Sequence, residues 1–388
     1  MVMTTRYRLA RRKWILGAAH AGLASISFPA FSTTRKTITD VSGRQVEIPR
    51  SPNRIILLEA QDILSMACVH PNPATLVVGW SGTDRIDSAY VRRTYTEKAR
   101  KIADIGNQTS TSLSLEGVLS LKPDVIVASA YMAPGFEDNP FVQAMTNFNI
   151  PVVFSQISSN SRNKSGSNAQ PASVDDVAIS TMRFWGELLN QQAKAENFIA
   201  FDSLRRSHIR SRTRNLSPVK TYFEVMSTNT DCCWAAGSQT WGELLRAAGG
   251  RGLNASLGSS WYTKLSLEGL IAERPDVYIA TGGDFSAASR PSIAPGTDKI
   301  KAAASLAQMM QRPGFAHLPA VAEKKVYGIW SGLISNIILQ GLFMEVAAKW
   351  LHPDAFTDLE PASYLAELNR TFLSQPLAGP LWTALPPS

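Results

Sequence analysis

A sixteen-residue segment occurs twice in this chain, as LSLEGVLSLKPDVIVA at 113–128 and as LSLEGLIAERPDVYIA at 265–280, with nine positions identical. Unrelated segments of that length share about one position, so the duplication points to two structurally equivalent halves. Each copy has the same physical content. Ser114 and Ser266 are suited to cap a helix, with Glu116 and Glu268 in the first turn, where the helix dipole favours a negative charge. The helix is expected to stop before Pro123 and Pro275, because proline disfavours helical geometry in the residue ahead of it. A short unbroken apolar run follows, Val125 to Ala128 and Val277 to Ala280, which reads as a strand buried on both faces. One helix–turn–strand unit therefore stands in each half.

Similar strands surround both copies. Arg54 to Leu58, Leu76 to Gly79 and Ile150 to Phe154 fall in the first half, and Lys220 to Val225 and Lys325 to Ile329 in the second. Strands alternating with helices imply an α/β chain with parallel sheets and helices on both faces. Between the halves, Ser155 to Ser173 is rich in Ser and Asn and reads as a surface loop. From Asp175 to Arg214 there is no proline, and Ala178, Met182, Trp185, Leu189 and Ile199 fall near helical spacing. This predicts a single long helix of about 60 Å. The expected organisation is a leader at 1–32, a first lobe at 33–172, a linking helix at 173–215 and a second lobe at 216–388.

The leader carries Arg6, Arg8, Arg11, Arg12 and Lys13 and no acid. Those five cations supply more than half of the net charge of +8, so the rest of the chain is nearly balanced and gives no support for nucleic-acid binding. An apolar run from Trp14 to Phe31 follows, with small residues at Ser27, Ala30 and Ser32. This is the pattern of a cleaved export signal, with cleavage expected near residue 32. Arg11-Arg12 ahead of Lys13-Trp14-Ile15-Leu16 resembles a twin-arginine signal, although Ala10 precedes the pair. No cysteine stands at the cleavage region, which argues against a lipid anchor. Cys68 lies in an apolar stretch and reads as a buried residue, and the adjacent Cys232 and Cys233 as two thiols lining a loop.

At this point the segments carry a resemblance. ITDVSGRQVEIPRSPNRIILL (38–58), the two LEG…PDV repeats, WGELLRAAGG (241–250) and RPGFAHLPAVAEKKVYGI (312–329) follow in the order found in the iron-siderophore, haem and cobalamin binding proteins of ABC importers. The resemblance implies two Rossmann-like lobes joined by one long helix, with the ligand in the cleft between them. It also implies a periplasmic monomer that works with an ABC permease and its ATPase subunit. An acidic residue at the repeated position on each lobe meets arginines of the permease, which carries over to Glu116 and Glu268.

In such a fold the cleft is lined by loops at the carboxyl ends of the strands. Topology then selects Trp80, Arg85 and Tyr131 from the first lobe, and Trp234, Trp261, Tyr262, Arg290 and Trp330 from the second. Tryptophan and tyrosine offer a stacking face and a hydrogen-bonding group to a large flat ligand. Arg85 and Arg290 suit the carboxylate or catecholate oxygens of an anionic chelate. Tyr131 and Tyr262 could ligate iron if the ligand were haem. The expected cargo is therefore a small-molecule metal chelate, a ferric siderophore first and haem or cobalamin next, with no resident cofactor. The five histidines, at 20, 70, 208, 317 and 352, form no close pair, and neither GxSxG nor GxxxxGK[ST] occurs. Metal-dependent catalysis, an esterase and a P-loop enzyme thus have no support in the sequence. An exported two-lobed α/β enzyme is the alternative from another class.

Overall fold

The computed structural model describes residues 34–97, 101–106, 113–129, 139–156, 172–258, 261–284 and 289–385. The leader, Tyr131 and most of the Ser/Asn-rich loop lie outside the described residues. Residues 34–388 form one compact unit.

An antiparallel hairpin, β1 (Arg35–Thr39) with β2 (Gln45–Pro49), opens this unit. The first sheet follows, with β3 (Ile55–Leu57), β4 (Val77–Trp80), β5 (Ala103–Asp104), β6 (Val125–Ser129) and β7 (Val152–Gln156). Its order is β5-β4-β3-β6-β7 and every pairing is parallel. Its helices are α1 (Asp62–Val69), α2 (Ala89–Thr96), α3 (Leu115–Ser120) and α4 (Pro140–Asn147).

The second sheet contains β8 (Val219–Glu224), β9 (Trp234–Ala236), β10 (Gly250–Arg251), β11 (Tyr262–Lys264), β12 (Val277–Gly282), β13 (Val326–Trp330) and β14 (Trp382–Ala384). The strands β8, β12 and β13 make its parallel centre. Its edges β9, β11 and β14 run antiparallel, so this sheet is mixed where the sequence predicts a parallel one. For β9 the reason is connection length: no helix intervenes between β8 and β9, and a chain that returns without a crossover pairs antiparallel.

The duplicated segment folds twice in the same way, as α3 with β6 and as α8 (Leu267–Glu273) with β12. Ser114 Oγ accepts the Gly117 N–H at 3.0 Å, and Ser266 Oγ accepts that of Gly269 at 3.0 Å. Lys122 and Arg274, each directly before the proline, adopt left-handed φ angles of 47° and 48°. Each non-glycine residue in that conformation costs roughly 1–2 kcal/mol. The second strand then enters its sheet buried throughout, as the first does.

The linking segment differs from expectation. The single long helix is two helices, α5 (Val174–Leu188) and α6 (Gln192–Thr213). Asn190, at φ 55°, ends α5. The Gln191 N–H bonds to Gly186 O at 2.7 Å and that of Asn190 to Glu187 O at 3.3 Å, the two hydrogen bonds of a Schellman stop. Asparagine tolerates the left-handed region through its short polar side chain, and this reversal turns the chain back on itself. The two helices pack so closely that a Cβ on Gly186 would lie 2.6 Å from that of Ala195. α5 begins beside the second lobe, where the Val174 N–H meets Glu243 Oε1 at 3.0 Å. It ends beside the first, where Lys36 Nζ reaches Glu187 O and Asn190 Oδ1. α6 makes the return crossing, and Thr213 Oγ1 donates to Ala247 O at 3.1 Å, beside α7 (Trp241–Ala247).

One cluster of buried apolar side chains runs through both lobes, from Ile55 and Trp80 by way of Trp185 and Phe198 to Phe223, Trp330 and Phe343. At roughly 25 cal/mol per Å2 of apolar surface, separating the lobes would be costly. This core couples them closely. Among the described residues no helix is long and apolar enough to cross a membrane.

Candidate ligand site between the lobes

The carboxyl ends of the parallel strands of the two lobes meet through polar groups. β4 leads into a short turn that ends at Asp87, which is buried, with φ 53°. Its carboxylate accepts Arg290 Nη1 at 2.7 Å and the Ser331 hydroxyl. Its main-chain oxygen accepts the Trp330 indole N–H at 2.9 Å. Ser88 caps α2 by accepting the Val91 N–H at 3.1 Å, and donates across the cleft to Pro295 O at 3.1 Å. The Ala89 N–H is taken by the Asp284 carboxylate. A second crossing joins Asn336 Nδ2 to Gln61 Oε1 at 3.1 Å.

The first-lobe floor of this junction is acidic. Glu59 follows β3, is buried, and pairs with Arg85 at 3.3 Å. Burial pushes the Glu59 carboxyl above the usual range, against the pull of Arg85 and a hydrogen bond from Gln61. Asp62, at the start of α1, is pushed up to about 7 by burial, although it accepts bonds from Ser155 Oγ and Gln156 Nε2. In the second lobe Glu224, at the end of β8, accepts from Nη1 and Nη2 of Arg312 at 3.1 and 3.0 Å. Arg312 also donates to Thr228 O at 3.0 Å and to Asp231 O at 3.3 Å, fixing the loop after β8. In that loop Cys232 and Cys233 form a disulfide across a cis peptide bond, which replaces the expected pair of free thiols.

The sequence-predicted residues fall into two groups. Arg85, Arg290 and Trp330 surround the inter-lobe junction, and each arginine already holds a carboxylate. Trp234 on β9 and Tyr262 on β11 gather with Trp261, directly before β11, and Trp241, the first residue of α7. Trp234 packs edge-on against Tyr262 at 5.7 Å, Trp261 edge-on against Trp241 at 5.8 Å, and Trp241 stacks on Tyr262 at 6.3 Å. Lys264 lies 5.2 Å above the Trp234 ring and pairs with Asp231. Trp80 and Trp330, expected in loops, are the last residues of β4 and β13 and are buried in the shared core. Tyr131 lies outside the described residues. Glu116 and Glu268 occupy equivalent, exposed first-turn positions on α3 and α8.

Sequence reasoning missed Asp87 and Asn336, which make the crossings. The available signal was Asp87-Ser88 ahead of a helix, an acid beside a capping serine at the end of a predicted strand's loop. Among the described residues no group of three or more His, Cys, Asp or Glu side chains could hold a metal ion.

Two α/β lobes that present polar strand ends to each other across a helical link define a two-lobed binding protein of the kind that encloses a solute. A family model described as periplasmic binding protein matches residues 66–331, more than half of the chain, and the chain belongs to that family. A curated relative, the molybdate-binding protein MolA of Haemophilus influenzae, is 22% identical over 350 residues, covering 87% of this chain and 90% of the relative. The TroA-like periplasmic binding protein FepB of Veillonella parvula superposes with a TM-score of 0.77 at 19% identity, covering 90% of this chain and 99% of that one. MolA bound to molybdate superposes with a TM-score of 0.66 at 19% identity, covering 87% and 97%.

Proposed function

We propose that this chain is the exported solute-binding component of an ABC importer, a carrier without catalytic turnover that holds an anionic metal solute between its lobes. The observation that carries the reading is the meeting of Arg85 and Arg290, one from each lobe, with buried carboxylates at the strand ends. Guanidinium groups kept at such a junction suit the oxygens of an anionic chelate, which bind them in bidentate fashion. The class of ligand proposed is a ferric siderophore with carboxylate or catecholate oxygens. Molybdate is a second reading, favoured by the relative that binds it. Haem is a further reading, with the exposed Tyr262 phenol the first ligand to test.

The remaining parts of the proposal extend the expectations drawn from the sequence. Residues 1–32 act as the export signal, and the mature protein works as a periplasmic monomer. Glu116 and Glu268 meet cations of the permease, which acts with its ATPase subunit. Capping and docking are compatible for these two residues, since the first-turn position leaves each carboxylate in solvent.

Native mass spectrometry and absorbance spectra of the exported protein, incubated in turn with ferric citrate, a ferric catecholate, molybdate, haem and cobalamin, test the ligand assignment. One anionic iron complex per chain is expected. The protein with Glu268→Arg should retain that complex while uptake stops. Selective retention of haem or cobalamin would contradict the ligand class, and loss of the complex in Glu268→Arg would contradict docking.

A further inference from the structure

In open α/β sheets the ligand position lies just beyond the carboxyl ends of the strands. In the second lobe, Gly283 directly after β12, Ser331 directly after β13 and Arg290 from the loop beyond β12 surround one point. A side chain of this same protein fills it. A Cβ added to Gly283 would lie 2.0–2.1 Å from the atoms of the Asp87 carboxyl group, so glycine is what admits that carboxylate. Arg290 Nη1 and Ser331 Oγ both donate to it. These are charged and neutral donors converging on one oxyanion, the arrangement that selects carboxylate or a comparable anion. Arg290 Nε is buried and makes no hydrogen bond among the described residues. A buried donor left unmade costs about 1–3 kcal/mol, so the guanidinium has binding capacity that Asp87 does not use.

We infer that Asp87 is a specificity-determining residue, an internal competitor whose carboxylate occupies the second lobe's anion position and must be displaced by an anionic group of the ligand. This rests on the reading of the protein as a carrier of anionic solutes, and it deepens that reading in one respect. A ligand with one weakly basic anionic group gains nothing by exchanging with Asp87, because one carboxylate replaces another. A ligand that delivers more negative charge, or that also reaches Arg290 Nε, gains from the exchange. Asp87 thereby sets a threshold against common monoanions such as acetate and chloride. The left-handed turn holding Asp87 fixes where its carboxylate points, and Asp is among the few non-glycine residues that tolerate such a turn.

The test is an equilibrium titration of the full mature protein and its Asp87→Asn variant with molybdate, ferric citrate and acetate. Asparagine tolerates the same backbone conformation and removes the charge. The variant should bind all three anions more tightly, by about tenfold to a hundredfold, the factor that one charge-assisted hydrogen bond commands. Acetate should gain the most. Unchanged or weaker affinity for every anion would overturn the inference while leaving the carrier reading intact. Anion binding by Asp87→Asn with none by the wild type would support the inference and sink the proposed ligand class for the native protein. Binding by neither protein would sink both. If the variant does not fold, a crystal structure of the wild type soaked with molybdate decides. The expected result is the anion on Arg290 and Ser331 with Asp87 turned away, and an anion bound elsewhere beside an intact Asp87–Arg290 pair overturns the inference.

Discussion

Both lobes bury a carboxyl group at the carboxyl end of their sheet, and they neutralise it in opposite ways. In the second lobe Glu224 sits in a two-pronged ion pair with Arg312 and also accepts the Tyr278 hydroxyl. Arg312 itself is held above its ordinary value, chiefly by Tyr278 and Glu224 working against the cost of burial. In the first lobe Asp62 has hydroxyl and amide partners, Ser155 and Gln156, and burial dominates. A charge that is matched by geometry gives a fixed loop. A charge that is not matched gives a group that titrates near neutrality. At the second lobe's strand ends Arg312 ties down the loop that carries Cys232 and Cys233, and at the first lobe's strand ends Asp62 is the pH-sensitive group.

The comparison breaks most sharply at Arg312. Arg312→Met leaves Glu224 buried and uncompensated, which should cost about 3–5 kcal/mol in chemical denaturation. A loss below about 1 kcal/mol would show that Tyr278 and solvent can carry Glu224 alone, and that the two lobes are not so different.

The first lobe gives the next largest effect, through pH. The folded state holds the Asp62 proton up to about 7, whereas an unfolded aspartate releases it near about 3.9. Because the folded state binds the proton more tightly, its contribution is fully present below about pH 4. It is lost as the pH rises to about 7 and is constant beyond. The loss is at most on the order of 4 kcal/mol. Asp62→Asn, whose amide both donates and accepts as a protonated carboxyl does, should flatten the decline of unfolding free energy between pH 4 and pH 7. An unaltered slope would place the titration elsewhere, with Glu59, also raised by burial, the first group to test.

Local chemistry made much of this fold legible in the sequence, because the duplicated segment carries its own start, stop and strand. Ser114 and Ser266 cap, Pro123 and Pro275 stop, and Val125 and Val277 begin buried strands, as expected. The break between α5 and α6 was harder to see, because it depends on one asparagine in a conformation that composition does not announce. The antiparallel edges of the second sheet were hidden for a related reason. β9, β11 and β14 have three residues each, too few to show a period. In the site, the arginines were visible as residue types, but their carboxylate partners were not. Glu59 is near Arg85 only through the fold, and Asp87 meets Arg290 across two hundred residues of chain. Trp80 and Trp330 were expected in loops because a tryptophan looks the same in sequence whether it closes a strand or opens a loop.

The most direct measurement compares the two arginines. Titrating a ferric catecholate and molybdate into the wild type, Arg85→Ala and Arg290→Ala, with thermal melts to confirm folding, asks whether both lobes hold the ligand. Each substitution should weaken binding of the ligand carried by the wild type by about tenfold or more, because each removes a charge-assisted contact. Full affinity in both variants, or loss in one lobe's variant alone, would contradict a ligand held between the lobes.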